Sequence, residues 1–154
     1  MLNQLVTFIL GEQQFALALT TVQRVVRMVE VTPLPKAPEI VLGVIDFQGN
    51  IVPVMSMRKR FGLPEPGTNL GDQLIVAETA TRRVALVVNS VTGVLERTAE
   101  EVSEAEKIVP GAQYVEGITR LAGGIVFIHN LDHFLSGKEE RQLDGLLAQA
   151  VERG

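Results

Sequence analysis

The chain has 154 residues, a formal net charge of −4 and 46% hydrophobic residues. This length suits one globular domain or two very small domains packed together, and the apolar fraction is too high for a disordered chain. Cysteine is absent, which excludes disulfides, thiolate nucleophiles and cysteine-ligated metal sites. A pI near 5.2 argues against nucleic acid as the main partner.

The N-terminal segment predicts neither export nor membrane insertion. Residues 1–15, MLNQLVTFILGEQQF, contain no basic region and no small-residue cleavage site. No apolar run in the chain approaches the roughly 18 residues that a membrane-spanning helix needs. We therefore predict a cytoplasmic protein.

The first elements of the chain have the pattern of short strands. Two apolar runs, Leu5–Leu10 and Phe15–Leu19, are separated by a turn and followed by a β-branched stretch, Val22–Val31. Within that stretch Val22, Val25 and Val26 lie among the polar residues Gln23, Arg24 and Arg27. They are either core residues or an exposed apolar patch that binds another protein, and the sequence leaves both interpretations open.

A proline-rich connection over residues 32–38 leads to a predicted tight hairpin at residues 48–50, Gln-Gly-Asn, which tolerate positive φ. Met57–Phe61 is long enough for about one helical turn. The Pro/Gly-rich residues 63–71 then mark the end of the first half of the chain.

The second half repeats this order. Leu5–Met28 aligns without a gap with Leu74–Arg97, and Gly43–Phe61 aligns with Gly117–Leu135 after a connection that is slightly longer in the second half. We interpret this as an internal duplication. It predicts two lobes, at about residues 15–72 and 73–137, packed side by side with a groove between them. The N-terminal strand is a candidate for a strand that both lobes share.

Two predicted capping boxes and a helix complete the chain. Thr98–Glu101 and Ser136–Glu139 each place a hydroxyl residue three positions before a glutamate. After the second box, apolar residues recur at helical spacing, at Leu143, Leu146, Leu147, Ala150 and Val151. The sequence thus predicts an amphipathic helix or tail at residues 138–154, which either covers the protein's own surface or, as the weaker alternative, docks on a partner.

No motif in the chain demands catalysis. His129 and His133 are four residues apart, but we place the first at a strand end and the second in the following turn, so we expect ordinary polar residues and no metal site. Neither a phosphate-binding loop nor a nucleophile elbow is present. The basic cluster Arg58–Arg60 is interpreted as a solvated turn, with an acidic partner surface as the alternative. We predict no enzyme and no cofactor.

The chain resembles the CheW-like domain, a fold shared by chemotaxis coupling proteins, the regulatory domain of the chemotaxis histidine kinase and the CheV couplers. The likeness runs from about Leu5 to Leu135, within an expected domain of residues 1–137, and its most specific segment is Gly43–Gly62, GVIDFQGNIVPVMSMRKRFG. It implies an all-β fold of two pseudo-symmetric five-stranded SH3-like β-barrels packed side by side, with short helices and a C-terminal helix.

The resemblance also implies a non-catalytic scaffold that couples transmembrane chemoreceptors to a histidine kinase. In the family, one lobe docks end-on against the matching lobe of the kinase regulatory domain, while the groove between the lobes holds the cytoplasmic tip of a receptor's helical hairpin. Carried over by motif position, the kinase-facing residues would be Val6, Leu19, Val22 and Val25. The receptor-facing residues would be Ile45, Asp46, Phe47, Gln48, Val88 and Asn89. The protein is expected to be a monomer in isolation and to be recruited to membrane receptor arrays.

This chain departs from the family's usual pattern at several positions. Residues 46–49 read Asp-Phe-Gln-Gly where the family usually has Asn-Leu-Arg-Gly, which removes the charge and the donors of the arginine. Ser56, Arg24 and Asn89 replace the usual Asp, Glu and Asp. The alternative interpretation is therefore a divergent interaction module of a non-flagellar signalling pathway. A small enzyme in the cleft between the lobes is disfavoured because the residues nearest the hairpins are mostly apolar, and a CheV-type coupler would need room for a receiver domain.

Overall fold

The computed structural model describes residues 2–64, 67, 69–104, 114–122 and 124–153, and of Leu2 and residues 150–153 it describes the backbone alone. The strands within these residues are β1 (Leu2–Leu10), β2 (Gln13–Ala18), β3 (Val22–Arg27), β4 (Val41–Phe47), β5 (Asn50–Met55), β6 (Gln73–Glu78), β7 (Arg83–Val88), β8 (Ser90–Thr98), β9 (Ser103–Glu104), β10 (Val115–Leu121) and β11 (Gly124–His129). The α-helices are α1 (Met57–Arg60) and α2 (Gly137–Arg153), and single 3-10 turns span Leu19–Thr21, Ala99–Glu101 and Leu131–His133.

The strands form two sheets. One has the order β3-β6-β7-β5-β4, and we call it the central barrel because its strands are consecutive in the chain. The other has the order β8-β1-β2-β11-β10-β9, and we call it the terminal barrel. The predicted all-β fold of two SH3-like barrels with short helices and a C-terminal helix is confirmed, with the two-residue strand β9 added to the terminal barrel.

The pairing registers confirm the internal duplication. Leu5 pairs with Ala18 across β1 and β2, and their repeat equivalents Leu74 and Val87 pair across β6 and β7. Val44 pairs with Pro53 across β4 and β5, and their repeat equivalents Ile118 and Phe127 pair across β10 and β11. Replacing each strand of the central barrel by its repeat equivalent therefore gives the strand order of the terminal barrel, apart from the added strand β9.

The predicted lobe boundary near residue 72 is wrong for the strands, because each barrel takes its first two repeat strands from the other half of the chain. β6 and β7 belong to the central barrel, and both β1 and β2 belong to the terminal barrel. The reason is the length of the connections. If β3 stayed in the same sheet as β2, the two strands would run parallel, and a parallel connection requires a crossover of about a dozen residues. Only Leu19–Thr21 joins them. That the domain ends at residue 137 stays a prediction.

The apolar residues form three clusters, one inside each barrel and one between them. Equivalent positions fill the two barrels, such as Leu74 and Val52 in the central barrel and Leu5 and Val126 in the terminal barrel. The largest cluster, the inter-barrel core, contains residues of both sheets: Phe8, Leu10, Phe15 and Leu17 of one, and Met55, Ile75, Ala77, Val84, Leu86 and Val88 of the other. The two barrels are thus joined by a shared apolar interior.

The two predicted capping boxes are confirmed. Glu101 accepts a hydrogen bond from the backbone N–H of Thr98 at 3.0 Å, at the start of a 3-10 turn. Ser136 Oγ accepts from the N–H of Glu139 at 3.1 Å, while the Glu139 carboxylate accepts from the N–H of Ser136 at 2.9 Å. The second box starts α2, so the predicted helix at the end of the chain forms where the capping residues place it. Ala150 and Val151, the last residues of its predicted apolar stripe, lie outside the described side chains.

Candidate protein-interaction surfaces

A bulge in β3 decides which valines face the inter-barrel core. Val22 pairs with Ala77 and Val25 pairs with Ile75, because the register shifts by one residue between them at Gln23. Ala77 and Ile75 belong to the inter-barrel core. Cross-strand partners share a face of the sheet, so Val22 and Val25 both lie on the face that the central barrel presents to the other barrel.

The duplication places a second pair of valines in the same way on the terminal barrel. Val91 pairs with Phe8 and Val94 pairs with Val6, again with a register shift between them. Val25 is 36% exposed and Val94 is 60% exposed, whereas Val22 and Val91 are half-buried. β3 and β8 each lie at one edge of their sheet. We call Val22, Val25, Val91 and Val94 the valine rim.

The residues expected to face the kinase therefore differ in how exposed their side chains are. Val6 is only 4% exposed, so its side chain is covered and offers no surface to a partner, although it pairs with the exposed Val94. Leu19 is half-buried in the 3-10 turn between β2 and β3, and Val22 packs against the inter-barrel core. Val25 carries the exposed apolar surface. Val94 was not among the candidates, although the gapless repeat alignment would have found it as the equivalent of Val25.

The residues expected to form the receptor groove lie in two separate places, residues 45–48 at the β4–β5 hairpin and residues 88–89 at the end of β7. Val54 of β5 pairs in parallel with Ala85 of β7, so the hairpin after Phe47 lies level with the start of β7. Val88 and Asn89 lie at the other end of that strand, about seven residues or ~23 Å away. Ile45 and Val88 are moreover buried, Phe47 and Asn89 are half-buried, and Asp46 and Gln48 are exposed.

The β4–β5 hairpin is a two-residue turn with positive φ at both central residues, +52° at Gln48 and +83° at Gly49. Asp46 Oδ1 accepts a hydrogen bond from the N–H of Gly49 at 2.9 Å, so this carboxylate holds the turn. Ile51 follows the turn and is an exposed apolar residue, as is its repeat equivalent Ile125 after the β10–β11 hairpin. We call Ile51 and Ile125 the hairpin isoleucines.

Asn89 is the single residue between β7 of the central barrel and β8 of the terminal barrel. Its Oδ1 accepts hydrogen bonds from the Arg58 guanidinium and from the N–H of Gly11, both at 2.6 Å. Its own N–H donates to the carbonyl of Ile9 at 2.9 Å. Asn89 therefore holds α1 and the β1–β2 turn at the junction of the barrels.

The sequence matches the family model of the CheW-like domain over residues 4–139. This chain belongs to the CheW-like family. It is 26% identical over 149 residues to the chemotaxis protein CheW of Treponema pallidum, covering 93% of this chain and 88% of that protein. It is 25% identical over 139 residues to the CheW of Rhizobium meliloti, covering 89% and 90%.

A solved structure has the same fold. The scaffolding protein TtCheW from Thermoanaerobacter tengcongensis superimposes with a TM-score of 0.81 at 26% identity, covering 90% of this chain and 96% of that one. These findings support a chemotaxis scaffold adaptor, and a non-catalytic family is consistent with a chain that is not an enzyme. Within the described part of the chain, no helix is both long and apolar enough to span a membrane.

The prediction of a solvated basic turn is wrong for two of the three residues in this CheW-like chain. Arg58 is only 6% exposed and binds Asn89. The Arg60 guanidinium lies 5.0 Å from the centre of the Tyr114 ring and forms an ion pair with Glu139 at 2.6 Å. Lys59 alone is exposed, and its ammonium donates to the carbonyl of Glu39. Burial raises the pKa of Glu139, but the hydrogen bonds from Arg60 and from the Ser136 N–H outweigh it and leave that pKa below its ordinary value.

The two histidines have the separate positions that the sequence predicts. His129 ends β11 and is buried, whereas His133 is exposed in a 3-10 turn and contacts the Asn130 amide at 3.2 Å. Burial, with a smaller contribution from the nearby Arg60 charge, lowers the pKa of His129 to about 3, so its imidazole is neutral at pH 7. Among the described residues there is no group of three or more metal-ligating side chains.

Proposed function

We propose that this protein is a cytoplasmic, non-catalytic scaffold that couples the tip of a chemoreceptor to a histidine kinase, and that the valine rim binds the receptor. The observation that carries the proposal is the position of Val25 and Val94. They are repeat equivalents, both are exposed, and both lie on the face between the barrels. The resemblance implied that Val25 binds the kinase. In the family, however, the receptor binds between the lobes, so the position of Val25 on the face between the barrels favours the receptor.

The chemistry of the rim suits a helical hairpin. A receptor tip presents apolar residues on helices, and two exposed apolar strand edges held by the barrels can bury them without ordering a loop. Fully burying one valine side chain contributes about 1.5 kcal/mol. Exposed apolar residues that recur at equivalent positions of two barrels mark an interaction surface more strongly than single ones do.

The hairpin ends are the surfaces that we propose for the kinase. End-on docking needs exposed apolar residues at the outer end of a barrel, where Ile51 and Ile125 lie. Beside Ile125 is a groove of about 610 Å³ lined by Ile118 and Phe127, by Arg120, and by Arg97 with its ion-pair partner Glu101. A partner lobe with an apolar residue and a carboxylate would match it. Because the two ends are pseudo-equivalent, the scaffold could join kinase lobes on both sides and be recruited with them to receptor arrays.

No bond is made or broken in this mechanism. The receptor and the kinase regulatory domain bind different faces of one rigid unit, so a receptor that favours one arrangement of the scaffold changes the relative stability of kinase-on and kinase-off assemblies. The shared inter-barrel core provides the rigidity, since a shift at the valine rim must repack residues from both sheets.

The test is a pair of titrations of the purified protein, one with a receptor cytoplasmic tip fragment and one with the kinase regulatory domain. Val25→Glu should weaken receptor binding at least about tenfold and leave kinase binding unchanged, because it places a charge in the receptor groove. Ile125→Glu should do the reverse. Val29→Glu is the matched control, because Val29 is exposed outside both surfaces.

Unchanged receptor binding by a folded Val25→Glu variant would contradict the assignment of the rim. Absence of binding to chemotaxis receptors and kinases by the unmodified protein would instead favour the divergent module of another signalling pathway.

A further inference from the structure

The helix α2 is attached to the two barrels through its first half. Leu143 is fully buried in the inter-barrel core, and Leu147 packs against the same core while remaining partly exposed. The turn before this anchor is acidic, with Glu139 and Glu140, and the turn after it carries the half-buried Leu146 and Leu147. Side chains between Glu139 and Leu147 make contacts with the barrels.

The contacts around Leu143 are charge-complementary. Arg82 donates from Nε and from one terminal nitrogen to Glu140, at 3.0 and 2.8 Å, and also forms an ion pair with Asp144. Arg60 forms the ion pair with Glu139 described above. The helix supplies the acids and the barrels supply the arginines.

These arginines belong to the barrels whether or not α2 is bound. Arg82 directly precedes β7, and its side chain is 10% exposed with the helix in place. Arg60 lies at the end of α1, over the rings of Tyr114 and Phe134. Gln142 of the helix adds a hydrogen bond to the backbone carbonyl of Lys36 at 2.9 Å. A helix-shaped apolar seat with a basic border would therefore remain if α2 left.

We propose that this surface is a docking seat for an acidic amphipathic helix of a partner protein, and that α2 is its resident, displaceable occupant. The seat, which we define by Lys36, Arg60 and Arg82 around the site of Leu143, selects a leucine with acidic residues three and four positions before it and one after it. Basic or neutral helices are disfavoured because they would leave both arginines without acidic partners.

Displacement is feasible because α2 is held by one fully buried side chain and by ion pairs whose carboxylates, on the helix side, are more exposed to water than the arginines. Water and salt at the exposed carboxylates screen these ion pairs, so they contribute less to stability than fully buried pairs would. An element attached in this way opens locally without unfolding the barrels. The seat shares no residue with the valine rim, which lies on β3 and β8, whereas Arg82 directly precedes β7 and β6 lies between β3 and β7 in the sheet. Its border adjoins the hairpin isoleucine Ile51, which lines one groove with Arg82 and Leu147. The experiments below follow only the helix and a peptide of the same sequence, so their outcome does not depend on the proposed receptor and kinase surfaces.

The first experiment uses the full chain and a fluorescent synthetic peptide of residues 136–153 as the probe helix. In the chain with Leu143→Glu the seat is vacated, and we expect it to bind the peptide at least about tenfold more tightly than the unmodified chain, whose own helix competes at high effective concentration. A peptide with Glu140→Arg and Asp144→Arg is the matched control and should bind at least about tenfold more weakly. Equal binding of both peptides, or no gain from Leu143→Glu in a folded chain, would overturn the proposal.

The second measurement does not depend on a variant folding. Hydrogen exchange of the unmodified protein should show α2 amides exchanging at least about tenfold faster than those of β6 and β7, and faster still at high salt, because the helix opens locally. Exchange of α2 as slow as that of the barrel strands would mean that the helix leaves only on global unfolding, and the proposal would then be wrong.

Discussion

His129 shows how a single position can differ between the two halves of a duplicated chain. Its repeat equivalent is Met55, which is fully buried in the inter-barrel core. His129 is buried as well, between the rings of Phe61 and Phe134, and neither ring nitrogen has a hydrogen-bond partner among the described residues. A buried polar atom without a partner loses its hydration and gains nothing in return.

We predict that His129→Met stabilises the protein. Methionine is the residue that the equivalent position already accommodates, and it removes two unpartnered nitrogens that together cost about 1–3 kcal/mol. The free energy of unfolding, measured in urea at pH 7, should rise by about 1 kcal/mol once the lost ring contacts are included. His133→Met, at an exposed position, should change it by less than about 0.5 kcal/mol. A loss of stability in His129→Met would show that the imidazole has a partner that compensates its burial.

The same residue predicts a pH dependence. The pKa of His129 falls from 6.5 to about 3 on folding, so below pH 6.5 the unfolded chain binds a proton that the folded chain does not. The stabilisation that comes from keeping this ring neutral is complete above pH 6.5 and is lost as the pH falls towards 3. The stability advantage of His129→Met should therefore grow by about 1.4 kcal/mol per pH unit between pH 6.5 and pH 5. An advantage that is independent of pH would contradict the burial of a neutral imidazole.

At the scale of elements, the turns and helix starts were predictable and the strand faces were not. Gln48-Gly49 and the box at Ser136 are local patterns, because the residues that form the structure are neighbours in sequence. The bulge at Gln23 depends on β6, which is distant in the chain, and β-strand alternation without it would put Val22 and Val25 on opposite faces. Arg58 and Arg60 look like solvated charges until Asn89 and Glu139 are brought to them by the fold.

One glycine at the β4 register shift is required by a close backbone approach. A Cβ on Gly43 would lie 2.3 Å from the carbonyl oxygen of Thr32, where the connection bridges to Val44. We predict that Gly43→Ala lowers the free energy of unfolding by at least about 3 kcal/mol, because the backbone must move and the bridge is lost. Gly124→Ala is the matched control, since Gly124 has nearly the same φ, +156° against +155°, with no atom within 4 Å of the added Cβ.

Urea unfolding of both variants separates the two effects. A clearly smaller loss for Gly124→Ala would assign the cost at Gly43 to the clash, whereas equal losses would assign it to the backbone angle and contradict the close approach.

At the scale of the whole molecule, the repeat predicts two like barrels but not which strands each one contains. The hairpins β1–β2 and β6–β7 have the same apolar pattern, so either barrel could accept either hairpin. The chain passes from one barrel to the other after β2 and again after β7. The connections there are too short for the crossover that a parallel strand in the same sheet would require. The candidate surfaces depend on this passage between barrels, because it places β3 of the first half and β8 of the second half at equivalent edges of the two sheets.

Because each barrel contains strands of both halves, we predict that the barrels unfold together. Val52→Ala in the central barrel and Val126→Ala in the terminal barrel remove equivalent, fully buried side chains. Each should lower the free energy of unfolding by about 2 kcal/mol, and hydrogen exchange of the slowest amides should accelerate equally in both sheets. Acceleration confined to the barrel that carries the substitution would show that the barrels are independent units.

The most direct measurement of the central claim is methyl NMR of the valine- and isoleucine-labelled protein during titration with a receptor cytoplasmic tip fragment. The account predicts that the methyl signals of Val22, Val25, Val91 and Val94 shift or broaden on both barrels together, while those of the hairpin isoleucines Ile51 and Ile125 stay unchanged. Perturbation of the hairpin isoleucines with an unperturbed valine rim would contradict it.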